Sequence, residues 1–219
     1  MKIILLGAPG AGKGTQAQYI SEKTGATPLS TGKLIRAAVK SGTPAGLVAK
    51  EYIDVGRLVP DEIVIAMLKE RFKEDVCECG YILDGFPRNI AQAKALDKMG
   101  VEIDLVIDIE ISDEEVVRRL CGRRVCEVCN ISYNTGFKPS AKGDFCEVCD
   151  GALITRQDDS PEVVLERLRV YHAETEPLMN YYRAAGKLRE VQSCEKVEDT
   201  VAGVRKVLES YAQAQAVAK

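Results

Sequence analysis

A run of nine residues near the amino terminus, Gly7-Ala-Pro-Gly-Ala-Gly-Lys-Gly-Thr15, constrains the fold more than any other segment. It follows Lys2–Leu6, a short and almost wholly apolar stretch of the kind that forms a central strand of a parallel sheet, buried on both faces. It leads into Thr15–Lys23, which reads as a helix. A strand, a glycine-rich turn holding G-x-x-x-x-G-K and a helix form the setting in which backbone N–H groups converge on phosphate oxygens. Glycines at 7, 10, 12 and 14 keep side chains out of that space, the helix N-terminus adds partial positive charge, and Lys13 adds a full one. The hydroxyl that commonly follows the lysine and binds magnesium comes one position late, at Thr15, because Gly14 stands in its place. Asp84, at the carboxyl end of a predicted strand, is the expected substitute anchor for that ion.

Predicted strands and helices alternate along the rest of the chain, which argues for α/β architecture with a parallel sheet. Further strands are expected at Tyr81–Asp84, Asp104–Glu110 and Leu188–Val191. Helices are expected at Gly32–Lys40 behind a Ser30-Thr31 cap, in two short pieces between Gly42 and Pro60, and at Glu62–Lys73 with Ile63, Ile65, Ala66 and Met67 on or near its inner face. Others are expected at Asn89–Met99, at Asp113–Cys121 behind a Ser112/Glu115 capping box, from Pro161 to about Ala185, and from Val197 to Tyr211 before a frayed tail. Between Gly122 and Asp159 helical periodicity vanishes, and the segment reads as an inserted subdomain.

The chain's 219 residues, 46% apolar and 29% charged, suit one folded domain with a small insertion. Its 30 basic and 33 acidic side chains leave a formal charge of −3, so no overall basic field exists to grip nucleic acid. No apolar run approaches a membrane span, and Ile3–Leu6 is too short for the core of a signal peptide. The expectation is a soluble, cytoplasmic protein with no membrane or nucleic-acid partner.

Four of the eight cysteines form two Cys-x-x-Cys pairs, Cys126/Cys129 and Cys146/Cys149, sixteen residues apart. That spacing suits two knuckles closing one tetrahedral site. Four thiolates leave no open coordination position, so the ion is expected to be structural: zinc first, with iron or cobalt as alternatives. A pair of disulfides is the competing reading. Cys77, Cys79, Cys121 and Cys194 are expected as free thiols packed like small hydrophobes, and His172, the only histidine, as structural.

Several motifs occur together and in order: GAPGAGKGTQ at Gly7–Gln16, STG at Ser30–Gly32 with Arg36 following, DGFPR at Asp84–Arg88 with Gln92 following, and the paired arginines of Cys121-Gly-Arg-Arg124. With them the chain resembles adenylate kinase from residue 1 to about 211, and its cysteine-bearing insertion resembles the long, metal-stabilised lid of bacterial members. The resemblance implies a P-loop nucleoside monophosphate kinase fold, a central parallel sheet flanked by helices with a small metal-binding lid inserted. Residues 1–29, 60–121 and 160–219 would form the core, 30–59 an AMP-binding segment and 122–159 the lid, the last two being the parts expected to move. It further implies a monomer that exchanges a phosphoryl group reversibly, with magnesium, ATP + AMP giving two ADP.

By the same resemblance Gly10, Ala11, Gly12, Lys13, Gly14 and Thr15 would hold the ATP phosphates, while Arg119, Arg123, Ser132 and Tyr133 would cover ATP from the lid side. Thr31, Arg36, Arg57, Leu58, Val59, Gly85, Phe86, Pro87, Arg88 and Gln92 would line the AMP pocket, Thr31 and Gln92 meeting the adenine edge. Arg156 and Arg167 would reach the transferring phosphates and complete a catalytic set with Lys13, Asp84, Arg88 and Arg123, and Asp158 and Asp159 would tighten the closed lid. Two positions depart from the family pattern: Ser193 stands where glycine is usual near an adenine contact around Glu195, and Lys33 where an acidic residue is usual near the magnesium waters.

The chemistry is consistent with this set. Phosphoryl transfer needs alignment and charge stabilisation rather than a protein nucleophile, and planar guanidinium groups grip phosphate oxygens in pairs. Two other readings compete: a kinase for UMP or CMP, and a nucleic-acid-binding zinc-ribbon protein. Against the latter, residues 122–159 carry five basic and six acidic side chains and three aromatics, which makes no cationic or stacking surface.

Overall fold

The computed structural model describes residues 1–73 and 79–217; of the predicted free thiols, Cys77 lies outside them. Five parallel strands form the central sheet: β1 (Lys2–Leu6), β2 (Thr27–Ser30), β3 (Tyr81–Asp84), β4 (Leu105–Glu110) and β8 (Leu188–Gln192), in the order β2-β3-β1-β4-β8. The strand that precedes the glycine-rich turn is the middle one. Its register sets Leu5 beside Asp84 of β3 and Leu6 beside Asp108 of β4, so the polar residues gather at the carboxyl ends.

Alternation along β1 feeds two cores. Ile4 and Leu6 join Leu83, Phe86, Val106 and Leu178 on one face, and Ile3 and Leu5 join Ile20, Ile107 and Val204 on the other. Each such side chain contributes roughly 1.5–3 kcal/mol on burial, which makes this strand the rigid base of the turn that follows it.

Helices α1 (Lys13–Thr24), α2 (Thr31–Lys40), α3 (Pro44–Asp54), α4 (Asp61–Phe72), α5 (Ile90–Lys98) and α6 (Asp113–Cys121) follow in chain order. A single helix, not two, occupies the stretch between Gly42 and Pro60. It packs so closely on α2 that a Cβ on Gly46 would stand 2.2 Å from the Ala38 carbonyl oxygen. In α4 the buried residues are Val64 and Leu68; Ile63, Ile65 and Met67 are partly buried and Ala66 is exposed, a rotation of the expected inner face.

The Ser30 hydroxyl does not cap α2, and Thr31 Oγ1 donates instead to the Gly85 carbonyl at 2.8 Å. At α6 only half of the expected box forms: Ser112 accepts from the Glu115 N–H, while the Glu115 carboxylate turns to Arg118 and Arg119.

The helix expected over 161–185 divides into α7 (Pro161–Val170), a π-turn (Tyr171–Thr175) and α8 (Pro177–Ala184). Pro177 has no N–H to continue the ladder, and Glu176 reaches five residues back to the Tyr171 carbonyl. His172 in this turn joins Glu176 (2.7 Å) to Asp113 of α6 (3.0 Å), a surface tether consistent with its structural reading. The final helix, α9 (Val197–Val217), runs through the tail expected to fray. Cys79 is exposed rather than packed, and Cys121 and Cys194 are half-buried.

The insertion is a small antiparallel sheet that periodicity did not reveal: β5 (Arg123–Cys126) between β6 (Ser132–Asn134) and β7 (Leu153–Ile154). Its buried core consists of Cys126, Tyr133 and Cys146, with Ile131 and Leu153 packed against them. Among the described residues no helix is long and apolar enough to cross a membrane.

Candidate active site

The turn after β1 starts at Gly7, where φ is 129° and a Cβ would stand 2.5 Å from the Ile109 carbonyl oxygen; only glycine fits. The turn ends at Gly12, the residue before α1, also at positive φ and offering no side-chain cap. The first N–H groups of α1 therefore face the cleft without a side-chain acceptor, the arrangement that binds anions. Lys13 Nζ donates to the carbonyls of Gly7 (2.7 Å) and Ala8 (2.8 Å), and burial pulls its pKa down to about 8 against the pull of Asp84.

A cleft of about 470 Å³ opens over this turn. It brings together Gly10, Ala11, Gly12, Lys13, Gly14 and Thr15 with Asp84, Arg36, Arg88, Arg119, Arg123, Arg156, Arg167, Ser132 and Tyr133, residues predicted from segments up to 157 positions apart. A smaller cavity of about 70 Å³ adjoins it, lined by Thr31, Arg57, Val59 and Gln92, and shares Arg36, Leu58, Gly85, Arg88 and Arg167 with the cleft.

Two predicted residues behave differently. The Phe86 side chain is fully buried in the sheet core and lines neither space, although Pro87 beside it borders the cleft. The Tyr133 ring borders the cleft, but its hydroxyl lies 3.4 Å from Cys146 Sγ and accepts from the Glu147 N–H.

Positive charge crowds the site. Burial is the main cause that lowers the pKa of Arg36, Arg88 and Arg156; neighbouring cations add to it, Arg167 beside Arg88 and Arg36 beside Arg156. Two carboxylates hold part of the cluster. Asp159, whose side chain is wholly buried, accepts two bonds from Arg123 (2.7 and 2.5 Å) and one from Arg167 (3.1 Å), and Asp158 pairs with Arg167 at 3.1 Å. Arg36, Arg88 and Arg156 make no salt bridge among the described residues. An excess of closely spaced cations over carboxylates is costly until polyanionic groups enter, which is the property of a phosphate-binding site.

Other contacts became visible only in three dimensions. Ser193 Oγ accepts from Arg119 Nη1 (2.8 Å) and donates to the Ala11 carbonyl (3.2 Å), linking α6 to the glycine-rich turn. Arg119 also donates to the Cys194 carbonyl at 2.9 Å and lies 5.7 Å from the Phe137 ring. Ile35, Ile53 and Val64 supply apolar lining to the smaller cavity. The sequence did not single them out: Val64 lies on the face of α4 that its apolar pattern did not mark, and Ile53 on a helix expected as two pieces.

Over residues 5–187 the chain matches the family model described as adenylate kinase. The chain belongs to the adenylate kinase family. The adenylate kinase of Caldicellulosiruptor bescii is 49% identical over 212 residues, covering 95% of this chain and 99% of the relative. That of Carboxydothermus hydrogenoformans is 49% identical over 213 residues, covering 95% and 100%. That of Thermodesulfovibrio yellowstonii is 46% identical over 213, covering 95% and 99%. Adenylate kinases are phosphotransferases, and the parallel sheet with its cationic cleft is the architecture the motifs led to.

The second site of this family member lies in the insertion. The sulfur atoms of Cys126, Cys129, Cys146 and Cys149 all lie within 4.8 Å of one another, with Cys126–Cys149 at 3.4 Å and Cys129–Cys146 at 3.5 Å. Sulfur atoms around a tetrahedral zinc at about 2.3 Å lie roughly 3.8 Å apart, so four thiols in this cluster fit such an ion. The four cysteines are free thiols, not disulfides. The two knuckles repeat one backbone design: Asn130 N–H bonds the Cys126 carbonyl and Asp150 N–H the Cys146 carbonyl, both at 3.0 Å, and both residues take positive φ.

Proposed function

We propose that the protein transfers the terminal phosphoryl group of magnesium-bound ATP to AMP, reversibly, giving two ADP. The observation that carries this reading is the single cleft in which Lys13, Arg36, Arg88, Arg123, Arg156 and Arg167 converge on the open N-terminus of α1. The glycine-rich turn cradles the ATP phosphates, and Lys13 leaves the Gly7 and Ala8 carbonyls to reach them. AMP takes the smaller cavity, with its phosphate toward Arg36 and Arg88. The arginines shared by both spaces hold the two phosphate ends in line, so the acceptor oxygen attacks directly and alignment supplies the rate.

Magnesium, when bound, neutralises charge on the phosphates. The donor set suits it. The Asp84 carboxylate makes no hydrogen bond or salt bridge among the described residues, and its Oδ2 would lie 3.8 Å from a Cβ on Gly14, beside Thr15. Zinc suits the four thiols of the insertion, where it orders a segment whose buried core is otherwise three side chains.

We further propose that residues 30–59 and 122–159 close over the substrates and exclude water, which would otherwise accept the phosphoryl group. Asp158 and Asp159, which pair with Arg167 of α7, would tie the insertion to the core on closure. A monomer acting in the cytoplasm is the accompanying reading. Turnover in folded Lys13→Ala and Arg88→Ala variants tests the assignment. Each is expected to lose at least about a hundredfold in kcat with its thermal midpoint preserved, and near-normal turnover in either would refute its role.

A further inference from the structure

Gln92 is almost fully buried at the edge of the smaller cavity, and both ends of its amide are already fixed. Its Oε1 accepts from the Arg88 backbone N–H at 2.7 Å, and its Nε2 donates to Asp61 Oδ1 at 2.7 Å. Asp61 opens α4, and its carboxylate also accepts from Asn89 Nδ2 at 3.1 and 3.3 Å, while Asn89 Oδ1 caps α5 on the Gln92 N–H. An ionised carboxylate can only accept, and a backbone N–H can only donate. The two partners therefore enforce the same amide orientation. A flip would set the Gln92 oxygen against Asp61 and its NH2 against the Arg88 N–H.

Held this way, the amide keeps one unused N–H and one unused lone pair, at fixed ends. Thr31, also on that cavity, has committed its hydroxyl proton to the Gly85 carbonyl at 2.8 Å and presents only lone pairs. We propose that Asp61 is a positioning residue that sets selectivity for a 6-aminopurine monophosphate over a 6-oxopurine one, by locking the polarity of Gln92. Adenine offers an N6 amino donor and an N1 acceptor. Hypoxanthine reverses both, and meets the locked amide and the Thr31 oxygen like against like. The inference rests on AMP being the acceptor substrate.

The test compares catalytic efficiency with AMP and with inosine monophosphate, ATP being the donor, in wild type and two Asp61 variants. Asp61→Asn has nearly the same shape but can donate as well as accept, so it removes one of the two constraints on the amide and weakens the lock. The AMP-to-IMP ratio is expected to fall at least about fivefold, with KM for ATP and the thermal midpoint nearly unchanged. Asp61→Glu restores an acceptor-only group and is expected to recover most of the ratio. A ratio unchanged in folded Asp61→Asn overturns the inference, as does a wild-type enzyme that uses AMP and IMP equally. A wild type that uses neither purine monophosphate overturns the proposed reaction instead.

Discussion

Lys13 carries a full charge in a partly buried, desolvated position, and that has a pH consequence. Burial lowers its pKa to about 8, so the free enzyme loses this charge as pH rises through 8, well before an ordinary lysine would. Since kcat/KM reports ionisations of the free enzyme, kcat/KM for ATP is expected to decline above about pH 8. A steady-state pH profile checks this; a flat profile to pH 10 would show that Lys13 stays charged or is not needed. Asp108 is a second buried titratable group, and the mechanism does not use it. It is 4% exposed, its Oδ1 has no hydrogen-bond partner among the described residues, and burial, reinforced by Glu110, raises its pKa to about 6. The folded state then binds the proton more tightly than the unfolded chain, so stability is full below about pH 4 and falls as pH rises through 6. Asp108→Asn is expected to gain about 2–3 kcal/mol at neutral pH, read as a higher denaturant midpoint. No gain at pH 7 would mean that the carboxylate is satisfied. Neither behaviour was legible in the sequence. Lys13 could be recognised there as a phosphate ligand because the motif is local, whereas its pKa depends on what the fold packs around it. Gln92 is similar: its position followed from DGFPR, but the Asp61 contact joins residues 31 positions apart.

The elements were readable where local pattern decides them and obscure where tertiary contacts do. Strand β3 has the expected limits because a short apolar run buried on both faces has little alternative. The division at the π-turn turns on one missing N–H, at Pro177. The rotated face of α4 follows from the cavity and sheet it must cover, which its own apolar residues do not specify. The insertion shows the same contrast. Its cysteine spacing picked out the four sulfurs that converge, but three strands of two to four residues leave no periodic trace. A segment with this little core would depend on a bound ion for order, since structural zinc binding energy of roughly 10–16 kcal/mol in small peptides is folding energy. Cys129→Ser is expected to lose the metal and lower the thermal midpoint of the insertion or of the whole chain. Its activity at low temperature should fall less than that of Lys13→Ala, because the glycine-rich turn is built on β1. Elemental analysis and a melting curve read the outcome; metal-free protein isolated without chelator, or an unchanged melt, would contradict it.

At the scale of the molecule, the parallel sheet fixes the carboxyl ends of β1 and β3 side by side and gathers cations from distant segments above them. The resulting excess of positive charge suits a ligand rich in phosphate, and the arginines shared by the two adjoining spaces suit two phosphate groups that meet between them. Fold class and most of the lining were legible because motifs mark the carboxyl ends of β1, β2 and β3, although strand β2 itself, Thr27–Ser30, was not among the expected strands. The network that orders them, Ser193 to Ala11 and Asp61 to Gln92, was not, because side-chain partners across elements leave no pattern in the chain. The central claim is that this cleft transfers a phosphoryl group from ATP to AMP in particular. The measurement that bears on it most directly is magnesium-dependent ADP formation from ATP across AMP, UMP, CMP and GMP. The account predicts two ADP per AMP consumed, with a kcat/KM for AMP at least about tenfold above every other acceptor, because each unpaired buried polar group costs about 1–3 kcal/mol. Equal or greater efficiency with UMP or CMP, or no ADP formed with AMP, would contradict it.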